Sequence, residues 1–194
     1  ILTFCQDNNR FIDLHFLSIQ NQTICSGGAT TTVNLSSPSA GAVFTWTAVQ
    51  TTNIEGVITS GTNTIPTQTL INKTSTPIQV KYTAYAEISG FSCIGATKEY
   101  IVTVNPTPHI VNTEKDTICS GTSFNIIPLD GLPNIVPTGS TYTWGAPTIS
   151  PTASAITGGS AQSAAQTSIG QTLTNTTDQI ATATYTVTPK SGTC

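Results

Sequence analysis

A block of sequence that occurs twice constrains this chain more than any other feature. Thr117-Ile118-Cys119-Ser120-Gly121 echoes Thr23-Ile24-Cys25-Ser26-Gly27, with a period of 94 residues between the two cysteines. More matches follow in the same order. Val33-Asn34-Leu35 answers Phe124-Asn125-Ile126, and Phe44-Thr45-Trp46 answers Tyr142-Thr143-Trp144. Thr69-Leu70-Ile71-Asn72 answers Thr172-Leu173-Thr174-Asn175, and ten residues then separate each asparagine from Tyr82 or Tyr185. Gly90 to Cys93 answers Gly192 to Cys194. The blocks keep their order while the connections between them change length. That is the pattern of tandem domains whose strands are retained and whose loops drift.

The repeat sets the domain organisation. Cys5 followed by Phe11 to Phe16 resembles Cys93 followed by Tyr100 to Val104. Residues 1–20 therefore read as the last strand of a preceding repeat, and 21–108 as a first repeat. Residues 109–194 read as a second repeat that stops before its own last strand. The chain is expected to be a window onto a longer array.

Local patterning makes the repeats β-structured. From Ile78 to Ile88 the even positions are apolar and the odd ones mostly polar, so Ile78, Val80, Tyr82, Ala84, Ala86 and Ile88 should face a core. In the second copy Ala181, Ala183, Tyr185 and Val187 alternate with Thr182, Thr184, Thr186 and Thr188. A slip of one residue would bury four threonines, so the register is well specified. Threonine supplies about a fifth of the chain and charged residues only 8%, against roughly 25% in ordinary soluble domains. Threonine is β-branched and carries a hydroxyl, which keeps an outer sheet face wet without charge. Short strands between Pro, Gly and Asn turns, with no helical periodicity, predict an all-β sandwich in each repeat.

Five cysteines are present: Cys5, Cys25, Cys93, Cys119 and Cys194. None lies in a CxxC pair or a zinc-type cluster with histidine, so disulfides made in an oxidising compartment are expected. Each copy has a Cys, then aromatic-Thr-Trp, then a Tyr-bearing strand and a second Cys. That order matches the immunoglobulin logic of a tryptophan packed beside an inter-strand disulfide. The favoured pairing is Cys25–Cys93 and Cys119–Cys194, leaving Cys5 for a cysteine outside the chain. Each bridge would close a loop of roughly 70 residues, worth about 4 kcal/mol on the chain-entropy model. Pairing across the junction, Cys93–Cys119 with Cys5–Cys25, is the alternative. The junction Asn105-Pro106-Thr107-Pro108 carries two prolines in four residues, which bias it to an extended, semi-rigid form.

These residues carry a family resemblance that covers nearly the whole chain. The Ile-Cys-Ser-Gly opening of each copy, the aromatic-Thr-Trp strand and the closing run from Ala183 to Cys194 resemble the PKD-like repeats of Bacteroidetes surface proteins. Val104-Asn105-Pro106-Thr107-Pro108 is similar to the linker between such repeats. The Trp-Asp-Phe-Gly-Asp-Gly motif of PKD domains proper is missing, and the first copy has Tyr-Ala-Glu-Ile at 85–88 where the second has Thr-Val-Thr-Pro at 186–189. The resemblance implies tandem immunoglobulin-like β-sandwiches serving as stalk repeats of a large secreted adhesin or fibre, extracellular and at the cell surface. It further implies attachment or surface motility of the gliding type, export by the type IX system, and no cofactor. The implied partners are neighbouring repeats of the same chain and, through the parent protein, surface polysaccharide or an abiotic surface. Asp116-Thr117-Ile118 resembles the short O-glycosylation pattern of those bacteria, making Thr117 a candidate acceptor. Asn21, Asn34, Asn72 and Asn175 head Asn-x-Ser/Thr triplets, which would be acceptors in a eukaryotic secreted protein. In a bacterial setting they reflect only how common Asn and Thr are here.

Other chemistries find little support. The histidines are His15 and His109, neither near a reactive serine or cysteine, so a nucleophilic triad has no base. The nine acids are scattered and do not recur between copies, and no calcium-loop motif is present. No catalytic, cofactor or metal residues are assigned. A net charge of −3 without a basic stripe disfavours nucleic acid, and no apolar run approaches the ~18 residues of a spanning helix. The competing reading is a pair of carbohydrate-binding modules attached to a secreted polysaccharide-active protein. It would need exposed aromatic platforms, whereas Trp46 and Trp144 fall at matched positions that read as core.

Overall fold

Alternation becomes structure in a computed structural model that describes residues 4–7, 10–13, 19–49, 51–88, 94–111 and 113–194. The chain forms two compact units, Ile1–Asn105 and Pro106–Cys194. Each is all-β, and each is a β-sandwich of the immunoglobulin type.

Unit 1 opens with the antiparallel pair β1 (Phe4–Asp7) and β2 (Arg10–Asp13), in which Cys5 lies opposite Ile12. The strands that follow are β3 (Gln22–Cys25), β4 (Val33–Asn34), β5 (Ala42–Ala48), β6 (Ile54–Glu55), β7 (Ser60–Thr62) and β8 (Thr64–Ile65). β9 (Ile71–Asn72), β10 (Ile78–Ile88) and β11 (Lys98–Asn105) complete it. One layer is a five-stranded sheet in the order β3-β11-β10-β5-β7, with β3 parallel to β11 and the other neighbours antiparallel. The opposite layer is made of the short pairs β4–β8 and β6–β9, with an isolated bridge between Ala29 and Thr69. The even-numbered residues of β10 face the core as the alternation predicts, with Val80, Tyr82, Ala84 and Ala86 all buried. β10 is the centre of its sheet, and its length follows from being paired on both flanks. Phe44, Trp46, Tyr82, Tyr100, Val102 and Val104 from this sheet meet Leu35, Ile54, Ile65 and Leu70 from the other layer.

Unit 2 contains β12 (Thr122–Ile126), β13 (Thr141–Trp144), β14 (Thr148–Ser150), β15 (Ile156–Thr157) and β16 (Gln162–Gln166). It ends with β17 (Ile169–Asn175), β18 (Thr182–Thr184) and β19 (Val187–Lys190). Its layers are β12-β17-β15 and β16-β13-β19, with β14 paired to β18. Trp144 lies opposite Val187, as Trp46 lies opposite Ala84. The strand matching β10 is broken into β18 and β19. One cause is visible: its partner is interrupted by Gly145-Ala146-Pro147, where Pro147 has no amide to donate.

The turn after β6 shows how tightly the layers are drawn together. Gly56 has φ +86°, and a Cβ there would lie 1.9 Å from the Thr69 carbonyl oxygen. Gly158 repeats this, with φ +91° and a Cβ position 2.4 Å from the Thr172 carbonyl oxygen. Both the backbone conformation and the space demand glycine. Gly56→Ala and Gly158→Ala should each destabilise their own unit by about 2–4 kcal/mol. Differential scanning calorimetry should show one of two transitions displaced downward and the other unmoved.

Candidate functional site

Two polar clusters, one per unit and buried in unit 1 only, are the nearest thing to a built site. Each is organised by the asparagine that ends a matched block. In unit 1 the Asn72 amide donates to Ser26 Oγ at 2.9 Å, and that hydroxyl donates to the Asn72 carbonyl at 3.2 Å. Asn72 Oδ1 accepts from the Thr74 amide at 2.8 Å. Asn72 Nδ2 donates to the carbonyls of Thr76 and Val104, at 2.7 and 2.9 Å. Asn72 is 2% exposed, so each of these bonds is made away from water. In unit 2 the Asn175 amide donates to Ser120 Oγ at 3.0 Å and its Oδ1 accepts from the Thr177 amide at 2.9 Å. Asn175 Nδ2 donates to the Gln179 carbonyl at 2.8 Å. Among the described residues the bond from Asn72 to Val104 has no counterpart.

A second recurrent pair sits between the layers. Tyr82 Oη donates to Gln68 Oε1 at 3.1 Å, and Tyr185 Oη to Gln171 Oε1 at 2.8 Å. The Ile58 and Ser160 amides donate to the same glutamine oxygens at 2.6 and 2.9 Å. These glutamines and the role of the asparagines escape a reading of motifs. The signal was available: Gln68 and Gln171 lie four residues before Asn72 and Asn175.

The aromatic residues are structural. Trp46 is 1% exposed and donates through Nε1 to the Thr64 carbonyl at 3.0 Å. Trp144 is 6% exposed, and its Nε1 finds no partner. Tyr82 packs on Trp46 and Tyr100, with ring centroids 5.9 and 5.4 Å apart. Burial pushes the phenols of Tyr82, Tyr142 and Tyr185 above their ordinary range, the Gln68 hydrogen bond partly offsetting the rise at Tyr82. Tyr100 is pushed up to about 12 by burial and by Tyr82 beside it. Among the described residues no aromatic side chain is exposed, and no group of three or more His, Cys, Asp or Glu could hold a metal ion.

The cysteines correct one expectation. Cys25 and Cys194 are each disulfide-bonded. Cys119 is a free, exposed thiol, so neither the expected Cys119–Cys194 bridge nor the cross-junction Cys93–Cys119 bridge is made. Cys25 ends β3, which is held beside β11 with Cys25 opposite Asn105. Residues 116–119 match β3 in sequence but lie outside any strand, so the two cysteines are placed differently. Cys93 and the side chain of Cys5 lie outside the described residues, and with them the Cys25–Cys93 pairing and the partner of Cys5. Thr117 is exposed, and its amide donates to Asp116 Oδ1 at 2.8 Å. Asn72 and Asn175, heads of Asn-x-Thr triplets, use their carboxamides internally.

Two predictions follow from these groups. Asn72→Ala strands the Val104 and Thr76 carbonyls and should cost unit 1 about 2–4 kcal/mol, whereas Asn175→Ala should cost unit 2 only about 1–2. Thermal unfolding of the two variants checks the difference. Between pH 10 and about 12 the unfolded chain gives up tyrosine protons that the folded chain keeps, so stability falls as pH rises through that window. The Tyr100 hydroxyl is buried without a hydrogen-bond partner. Tyr100→Phe should therefore leave stability at neutral pH unchanged or raise it by up to about 1 kcal/mol. The alkaline loss should become shallower, as read by ultraviolet titration and circular dichroism.

The recurrence of the clusters has its parallel in a comparison of families. A family model described as a PKD-like domain matches residues 22–108 and matches again over residues 116–194. No curated protein matches the chain. The asparagine and glutamine clusters fall at the same places in both matched segments. The chain therefore belongs to the PKD-like domain family, of which it carries two tandem copies.

Proposed function

We propose that the two units are structural stalk repeats of a large secreted surface protein, spacing an adhesive or motility-related part away from the cell. PKD-like domains are commonly extracellular structural or adhesion repeats, and family membership carries the coarse part of this reading. One observation supports the finer part. The recurrent hydrogen-bonded groups serve to join strands and turns to one another. The outer face of the second repeat is a row of exposed threonines at 182, 184, 186 and 188. Such a face stays hydrated without attracting charged partners. The two-proline junction supports a stiff connection, and the bonded Cys25 and Cys194 support an oxidising compartment. Thr117, exposed on a stretch outside the strands, remains our candidate for glycan attachment. Export by the type IX route and a role in gliding belong to the same proposal.

The carbohydrate-binding reading is disfavoured by the inward tryptophans, because sugar rings stack on exposed aromatic faces. A glycan array probed with the two-unit chain should show no saturable binding, and acrylamide should quench Trp46 and Trp144 only weakly. Saturable binding to a defined glycan would replace the spacer reading with a lectin-like one.

A further inference from the structure

Beside the tryptophan-bearing strand of each unit lies a strand that ends its sheet, and the two edges are finished differently. In unit 1 this strand is β7, three residues long with Gly61 at its centre. In unit 2 it is β16, and among the described residues nothing pairs with its outer flank. β16 reads Gln162-Ser163-Ala164-Ala165-Gln166, and its three central side chains are exposed. Exposed edges are ordinarily guarded by charge, by proline, by a bulge or by being short. Of these, β16 has only the bulge. No Asp, Glu, Lys or Arg occurs between residues 131 and 177, and the strand contains no proline. The strand is also nearly self-complementary. An antiparallel second copy centred on Ala164 would set Gln162 against Gln166 and Ser163 against Ala165, with no like charges to repel it.

Two side chains of the same strand stand where that copy would bond. The Ala164 amide donates to Gln162 Oε1, and the Ala164 carbonyl accepts from Gln166 Nε2, each at 3.3 Å. A carboxamide carries the same acceptor and donor as a peptide unit, so the glutamines substitute for a neighbouring strand. Gln162 lies opposite Trp144 and Gln166 opposite Tyr142, so Ser163, Ala164 and Ala165 stand against Thr143 alone. Such a bulge leaves backbone groups without ladder partners, and the glutamines meet those of Ala164.

We propose that Gln162 and Gln166 are edge guards, which keep β16 from pairing with β16 of a second copy of this chain. The guard is uncharged, so salt does not weaken it. This inference does not depend on the stalk reading, because the edge is the same whether the parent protein adheres or spaces.

The test is sedimentation equilibrium of the two-unit chain beside its Gln162→Ala/Gln166→Ala variant, with circular dichroism to confirm folding. Both carry Cys119→Ser, so that this exposed thiol cannot link copies. The chain with its glutamines should stay monomeric, and the double variant should self-associate more tightly by roughly tenfold or more. Amide exchange in β16 should then slow as protein concentration rises, while β7 is unchanged. Adding Ala164→Lys, which sets like charges opposite one another in the pair, should restore the monomer. Gln162→Ala and Gln166→Ala alone each free one backbone group and should associate to an intermediate degree, so the test stands even if the double variant fails to fold. Folded variants as monomeric as the parent chain would overturn the proposal. So would association that leaves β16 exchange unchanged, or association through β16 with both glutamines in place.

Discussion

Asn72 joins three segments that are distant in sequence. Its backbone amide and carbonyl bond Ser26 at the opening of the domain, and its carboxamide bonds Thr74 and Thr76 in the turn after β9 and Val104 in the closing strand. A sandwich has two layers that touch mainly through apolar side chains, which do not by themselves set direction or register. A buried, fully bonded amide does both, because misplacing any one of the three segments leaves a polar group unpaired away from water. Unit 2 keeps the same anchor, with Asn175 holding Ser120, Thr177 and Gln179 as Asn72 holds Ser26, Thr74 and Thr76.

Charge contributes little to this architecture. The ion pairs Lys73–Glu55 and Lys81–Glu99 are both about half exposed, where such pairs add little to stability. Hydrophobic layers and uncharged hydrogen bonds carry the fold, so its stability should depend weakly on ionic strength. For a repeat placed outside the cell, where salt varies, that independence is physically useful. It also explains the threonine content: hydroxyl-bearing β-branched residues serve both the strand and the solvent.

Much of this was legible in the sequence. The repeat placed the matched strands, and the alternation from Ile78 to Ile88 oriented β10 correctly. The recurrence of Trp46 and Trp144 marked them as core. What stayed hidden was polar. Asn72 and Asn175 resemble glycosylation triplets, and in a chain so rich in Asn and Thr a single buried asparagine has no local signature. Only its fixed spacing to Gln68 and Tyr82, repeated at Gln171 and Tyr185, distinguishes it. The cysteines taught the opposite lesson. Matching blocks around Cys25 and Cys119 suggest matching bridges, but Cys25 ends a strand and is bonded, whereas Cys119 lies outside any strand and is free.

The central claim is that the Asn72 carboxamide ties the turn after β9 to the closing strand of unit 1. Amide hydrogen exchange on an Asn72→Ala chain tests it most directly. The account predicts faster exchange at residues 73–76 and at the end of β11, with β5 and β7 little changed. Unchanged exchange at those places, or loss spread evenly over the unit, would contradict it.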